Sequence, residues 1–232
     1  MNEQPSQVYQ LSHVQKIFPE NKGPVRILED ISFNVAAGES VAIVGASGCG
    51  KTTLLQMMAG LDTPSSGEIF FRGHDLHHLD WDAKSKLRNE QIGFVFQFHY
   101  LLPEFSALEN VALPAMIRGE SKNSAMDRAL RALERTGITN QAEQPVNTLS
   151  GGERQLTSIA RAICLEPEVI LADEPTGDLD PENGERVADL LIHQSRDLRC
   201  TLLVVTHNHH LARKMDRILT IRSGAIHEDT HF

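Results

Sequence analysis

No stretch of this chain stays apolar for the ~20 residues that crossing a bilayer requires. The start, Met1-Asn2-Glu3-Gln4-Pro5, lacks a basic segment followed by an apolar run, so it does not read as a secretory signal. Together these absences place the chain in the cytosol, and any membrane role then needs a separate partner. No block of Lys and Arg interrupts an acidic balance, 22 basic against 31 acidic residues and a formal net charge of -9. Neither a global nor a local positive field is there to hold nucleic acid. Cysteine is scarce: Cys49, Cys164 and Cys200 are scattered, odd in number and form no CxxC pair. That pattern argues against a disulfide framework and against a zinc site. There is no internal repeat and no low-complexity linker.

What is present is an ordinary globular composition, 41% hydrophobic and 23% charged over 232 residues. The length suits one domain with an inserted subdomain, or two small domains. Residues 39–44 form a short apolar run that enters glycines, which reads as a buried strand followed by a turn. A helix follows over 52–59 and ends at Gly60. Another apolar strand is expected at 93–97. From about 106 to 164 the pattern turns helical, most clearly at 125–136. Strand character returns at 169–172, 202–205 and 218–221. Strands alternating with helices predict an α/β fold built on a parallel sheet with helices on both faces, and the helical middle becomes an inserted subdomain.

Gly45-Ala46-Ser47-Gly48-Cys49-Gly50-Lys51-Thr52 satisfies the phosphate-loop (Walker A) pattern G-x-x-x-x-G-K-[ST]. Glycines let backbone N–H groups turn inward around phosphate oxygens. Lys51 brings a point charge to the β- and γ-phosphates, and the Thr52 hydroxyl is placed to ligate Mg²⁺. The helix beginning here aims its positive end at the same anion. A chance glycine-rich turn would not need to sit between a strand and a helix, as this one does.

Val169 to Ala172 is an apolar run that ends in Asp173-Glu174. At the carboxyl edge of a parallel sheet, such carboxylates face a ligand crevice. Asp173 then suits Mg²⁺, through water, and Glu174 suits orienting and deprotonating an attacking water. Alone, the pair reads more readily as a solvated strand end, since acidic strand ends are common; beside a phosphate loop the functional reading is favoured. Leu149-Ser150-Gly151-Gly152-Glu153 also has two readings. One is a capping box, with Ser150 and Glu153 as its partners. The other is a helix N-terminus stripped of side chains so that a γ-phosphate can approach. Two consecutive glycines cost roughly 1 kcal/mol each against Ala in a helix interior. Capping does not require them, whereas close approach does.

The phosphate loop, Gln97, LSGGE, ILADE and Thr206-His207 occur in the order and spacing of ABC ATPase subunits, and the chain resembles that family over nearly its whole length. The resemblance implies a phosphate-loop NTPase core of RecA type, at about 1–97 and 165–232. It adds an antiparallel β subdomain and an α-helical subdomain at about 98–164, all within one ATPase domain. ATP and Mg²⁺ are the implied cofactors, and hydrolysis to ADP and phosphate the implied reaction. The implied ATP-bound state is a head-to-tail homodimer, in which Ser150, Gly151 and Gly152 of one copy complete the other's site. Gly45 through Thr53 hold the nucleotide. Phe18 matches an adenine-stacking aromatic, with Tyr9 as the fallback. Gln97 matches the residue that senses Mg²⁺ and water. Asp180 matches the loop that crosses the dimer, and His207 the histidine on the γ-phosphate. Lys51, Gln97, Glu174 and His207 are the implied catalytic set, and Thr52, Gln97 and Asp173 the implied Mg²⁺ set. Two positions depart from the usual pattern: Leu156 stands where relatives carry Arg, and Cys49 where Ser is more common.

The run from Gly93 to Pro114 is similar to the lipoprotein-releasing (Lol-type) ATPases and their macrolide-exporting relatives, and QFHxLLP and ALENV inside it favour the Lol type, which implies lipoprotein release from the inner membrane. The resemblance implies two ATPase copies on integral-membrane permease subunits, at the cytoplasmic face of the inner membrane. An exporter of macrolides or peptides, or a cell-division complex, is the alternative. From the residues alone, 98–105 fits either core packing or a groove for a permease helix. The eleven histidines, including His74, His77, His78, His209 and His210, read as surface residues rather than a metal site.

Overall fold

The computed structural model describes residues 6–19 and 23–228. The opening residues read above against a secretory signal lie outside that range. In chain order the described residues form β1 (Gln7–Phe18), β2 (Val25–Ala36), β3 (Ser40–Gly45), α1 (Lys51–Met58), β4 (Ser66–Phe71) and β5 (His74–Asp75). Next come α2 (Trp81–Gln91), β6 (Ile92–Val95), α3 (Ala107–Ile117), α4 (Lys122–Thr136) and α5 (Gly151–Ile163). The series closes with β7 (Val169–Asp173), α6 (Pro181–Asp197), β8 (Thr201–Val205), α7 (His209–Ala212), β9 (Arg217–Arg222) and β10 (Ala225–Glu228). Two compact units divide the chain at Ser85/Lys86 and at Cys200/Thr201.

In the first unit β3 is the axis. It runs parallel to β8, with Ile43 beside Val205, and parallel to β9, with Gly45 beside Ile221. Val41, Ala42 and Ile43 have no exposed surface, so the strand reads as a continuous apolar run rather than an alternating one. Because β3 and β8 are parallel and in register, the chain leaves both at the same edge. That register delivers Gly45 and Thr206-His207 to one place. The other pairings are antiparallel, β1 with β2 and β4, β4 with β5, and β9 with β10, except that β10 joins β2 in parallel with Ala225 beside Asp30. β1 and β2 carry several register shifts, one around His13, which adopts a left-handed φ of 49°.

In the second unit β6 and β7 are parallel, with Val95 beside Ala172. Gln97 and Asp173-Glu174 therefore leave neighbouring strands at the same edge. α5 lies close on β6: a Cβ at Gly93 would sit 2.4 Å from the Ala162 carbonyl oxygen, so only glycine permits this approach. α4 begins at Lys122, three residues before the most periodic part of its sequence, because Ser121 accepts from the Ser124 N–H and caps it. It ends on Gly137 in a left-handed turn.

Candidate nucleotide site

The phosphate loop takes the form its glycines allow. Gly48 and Gly50 have φ of 78° and 98°, and the Cys49 N–H donates to the Ala46 carbonyl at 3.2 Å. The residue heading α1 is Gly50, which brings no side-chain acceptor to the N–H groups of the first turn. Those donors point where an anion is stabilised by the helix end. Lys51 is buried, and its Nζ donates to the carbonyls of Gly45 and Ala46 at 3.0 and 3.2 Å. Its charge is thus held over the loop mouth. Gly45 is needed for packing: a Cβ there would meet the Cys49 Sγ at 2.7 Å and the Ile221 carbonyl at 2.8 Å. A cleft of about 430 Å³ opens beside it, lined by Gly45, Ala46, Cys49, His207, His209 and Arg222. Sequence reasoning named the first four for the site; it read His209, two residues past His207, as a surface residue and did not single out Arg222, the last residue of β9.

Phe18 ends β1 and is 38% exposed, with the Lys16 Nζ 5.0 Å from its ring centroid. Lys16 is itself anchored, donating to Asp62 at 2.6 Å and to the Thr63 carbonyl at 2.7 Å. Tyr9 is not an alternative. Its ring is fully buried against Phe71, its hydroxyl donates to the Met58 carbonyl at 2.9 Å, and burial drives its pKa upward. No ring face is left for a base.

In the second unit, Asp173 ends β7 and is 5% exposed. Glu174, the next residue, has a left-handed φ of 44°. A non-glycine residue held there stores backbone strain, which concentrates at functional sites. A turn follows at once, with the Gly177 N–H donating to the Glu174 carbonyl at 3.0 Å. The Gln97 amide nitrogen approaches the same turn, 3.9 Å from where a Gly177 Cβ would stand. Two residues far apart in sequence, Gln97 and Glu174, are brought together here by the β6–β7 register.

A separate groove of about 940 Å³ is lined by Ser150, Gly151, Gly152, Asp178, Asp180 and Asn183, with Leu156 and Arg186 among the other residues along it. Ser150 and Glu153 form the full capping box: the Ser150 Oγ accepts from the Glu153 N–H, and the Glu153 carboxylate accepts from the Ser150 N–H at 2.8 Å. Gln141 adds a further bond to Glu153 at 2.9 Å. The Ser150 backbone N–H and hydroxyl, with Gln141, keep the Glu153 carboxyl below its ordinary pKa. The cap is thus complete without help from either glycine. A Cβ at Gly151 would meet nothing within 4 Å, and one at Gly152 only Asn183 at 3.7 Å. Packing within the chain gives no reason for glycine at either position.

Asp180 caps α6 by accepting from the Asn183 N–H at 3.1 Å, and the Asn183 amide donates to its other oxygen at 2.6 Å. Its carboxyl is held below the usual range, chiefly by that side-chain bond. Asn183 was missed in the sequence, although D-P-E-N is a legible cap pattern.

This arrangement is that of a phosphate-loop ATPase, and the comparisons agree. Residues 28–177 match the family model described as ABC transporter. The chain belongs to the ABC transporter family and is an ATPase of its ATP-binding type. It is 45% identical over 231 residues to the lipoprotein-releasing system ATP-binding protein LolD of Coxiella burnetii, spanning 99% of this chain and 98% of that one. A protein of the same name from Nitratidesulfovibrio vulgaris is 48% identical and covers 95% of each chain. Among solved structures, a dimeric bacterial ABC transporter cassette superposes with a TM-score of 0.88 at 36% identity, over 97% of this chain and all of that one. A dimeric cassette in a post-hydrolysis state, bound to ADP and Pi, gives 0.87 at 35% identity with the same coverage.

Proposed function

We propose that this chain is the ATP-binding and ATP-hydrolysing subunit of a lipoprotein-releasing ABC system. In this reading it works as a homodimer, on integral-membrane permease subunits of Lol type, at the cytoplasmic face of the inner membrane. No helix among the described residues is long and apolar enough to cross a membrane. The full-length likeness to lipoprotein-releasing relatives at 42–48% identity supports the substrate class. The dimers seen for related cassettes support the pairing. Nothing in the charge balance favours nucleic acid.

Residues 1–97 and 165–232 act as the ATPase core, and 98–164 as the helical subdomain. Gly45 through Thr53, with Phe18, hold the nucleotide; Lys51 and His207 neutralise its γ-phosphate. Ser150, Gly151, Gly152 and Asp180 serve the partner copy's site. Thr52, Gln97 and Asp173 offer only oxygen donors for a cation, the hard set that Mg²⁺ prefers. When bound, Mg²⁺ would neutralise developing charge on the phosphates.

The observation that carries the chemistry is Glu174, strained into a left-handed turn beside the Gln97 amide. There it accepts a proton from a water whose oxygen attacks the γ-phosphorus while the bond to the β-phosphate oxygen breaks, releasing ADP and phosphate. Glu174→Gln tests this. ATP binding is retained, turnover falls by about a hundredfold or more, and an ATP-bound dimer accumulates on size exclusion. A variant that turns over at the wild-type rate refutes the assignment.

Of the segment 98–105 only His99 and Leu101 are partly buried, Leu101 against Ala107, Val146 and Leu149; the rest is exposed. Phe98 and Tyr100 are 69% and 63% exposed, and Leu102 and Phe105 less so. That exposure favours the permease-facing reading over core packing. Co-purification distinguishes the lipoprotein-releasing reading from the exporter and cell-division alternatives, by whether two different permeases or one accompany the chain.

A further inference from the structure

Immediately after Gln97 the backbone does something unusual. His99 and Tyr100, two successive residues with side chains, have φ of 56° and 47°. L-residues disfavour this region, and a pair in series is rarer still. Local bonds contribute: the His99 N–H donates to the Phe96 carbonyl at 3.2 Å, and the Tyr100 N–H to the Phe98 carbonyl at 2.5 Å. The Phe96 ring stacks on Phe94 at 4.1 Å and receives the edge of Tyr100 at 5.0 Å. The strongest hold comes from elsewhere in the sequence. Arg161, on the last turns of α5, donates from Nη1 to the Tyr100 carbonyl at 2.7 Å and from Nη2 to the His99 carbonyl. One planar fork thus meets the two carbonyls that the left-handed turn presents.

The same helix reaches the turn at a second point, where the Gln155 side chain engages the His99 ring. The close approach of α5 to β6 at Gly93 makes both contacts possible. Burial lowers the Arg161 pKa to about 10, which leaves it charged at neutral pH.

We propose that Arg161 is a positioning residue for ATP hydrolysis: by gripping the His99 and Tyr100 carbonyls, it fixes the turn that sets Gln97 against the Glu174 loop. It also ties that turn to the helix headed by Ser150-Gly151-Gly152, so one rigid element addresses both. The inference rests on the role proposed above for Gln97. A residue that merely staples a helix to a loop would lower stability and nucleotide affinity together; a positioning residue lowers turnover with affinity kept.

The test compares steady-state ATPase of the full chain for wild type, Arg161→Ala, Arg161→Lys, Gln97→Ala and the double variant, with melting curves and binding of a fluorescent ATP analogue. Arg161→Ala loses about tenfold or more in kcat with KM and analogue affinity nearly unchanged. Arg161→Lys recovers part of the loss, since an ammonium can reach one carbonyl but not both in the fork geometry. Millimolar methylguanidinium restores turnover to Arg161→Ala and not to Gln97→Ala. The double variant is no slower than Gln97→Ala alone, because the two act as one unit. Wild-type kcat in Arg161→Ala beside a slow Gln97→Ala overturns the Arg161 inference and leaves Gln97 standing. So does a loss that follows the melting temperature and resists methylguanidinium, or a double variant that is slower by the full product. Wild-type kcat in Gln97→Ala overturns the Gln97 role itself, and with it the route assigned to Arg161.

Discussion

Single residues in this chain differ sharply in chemical availability, and the cysteines show it. Cys164 and Cys200 are buried, and desolvation raises each thiol to about 11. Around pH 8 they remain protonated, hence poor nucleophiles. Cys49 is only half-buried and lines the cleft beside the phosphate loop. Iodoacetamide at pH 8 should therefore label the native protein once and the unfolded protein three times, by intact mass. Alkylation should abolish nucleotide binding, and ATP should protect. Full ATPase activity after stoichiometric labelling of Cys49 contradicts this. Position 49 was legible in the sequence as an anomaly within a motif. The Sγ contact with the space a Gly45 Cβ would fill was not, because it depends on how the loop closes on itself.

Among the elements, α3 and α5 supply a matched pair for separating fold from function. Both begin with a complete capping box, Ser106 with Glu109 and Ser150 with Glu153. Each cap is worth about 1 kcal/mol of stability. Ser106→Ala should lower the unfolding free energy read from urea melts by about that much and leave ATPase activity unchanged. Ser150→Ala should cost as much stability and also depress activity. Gly151→Ala completes the set: its Cβ meets nothing in the chain, so the helix gains up to about 1 kcal/mol while hydrolysis falls. A Gly151→Ala protein as active as wild type contradicts the ligand-approach reading. The box at Ser150 was readable from spacing alone, since capping is local. So were β3, β7 and β8, which are apolar on both faces. β1 and β2 were not: register shifts break the alternation that marks a half-buried strand. The resemblance supplied the antiparallel subdomain where periodicity could not.

At the scale of the whole molecule, the proposed pairing has a stoichiometric consequence. If Lys51 of one copy and Ser150 of the other serve the same nucleotide, two inactive variants complement. Lys51→Ala and Ser150→Arg, each inactive alone, should regain ATPase activity when mixed, because a mixed dimer contains one intact site. Activity that stays absent across all mixing ratios shows that both residues act within one chain. The sequence made the pairing legible only through its family likeness. Motif order along one chain carries no information about which copy completes which site. Gln97 and Glu174 contrast with this, since parallel register alone explains their meeting.

The left-handed backbone at Glu174 sets stability against activity. Asn tolerates that conformation better than Glu does, so Glu174→Asn relieves a strain that the wild type maintains permanently. Under selection for heat resistance alone, such changes would be enriched at this position, and the most durable members of the library would be its idle ones. Directed evolution of this chain toward thermostability therefore has to screen for turnover in every round, or it will erode the residue on which turnover depends.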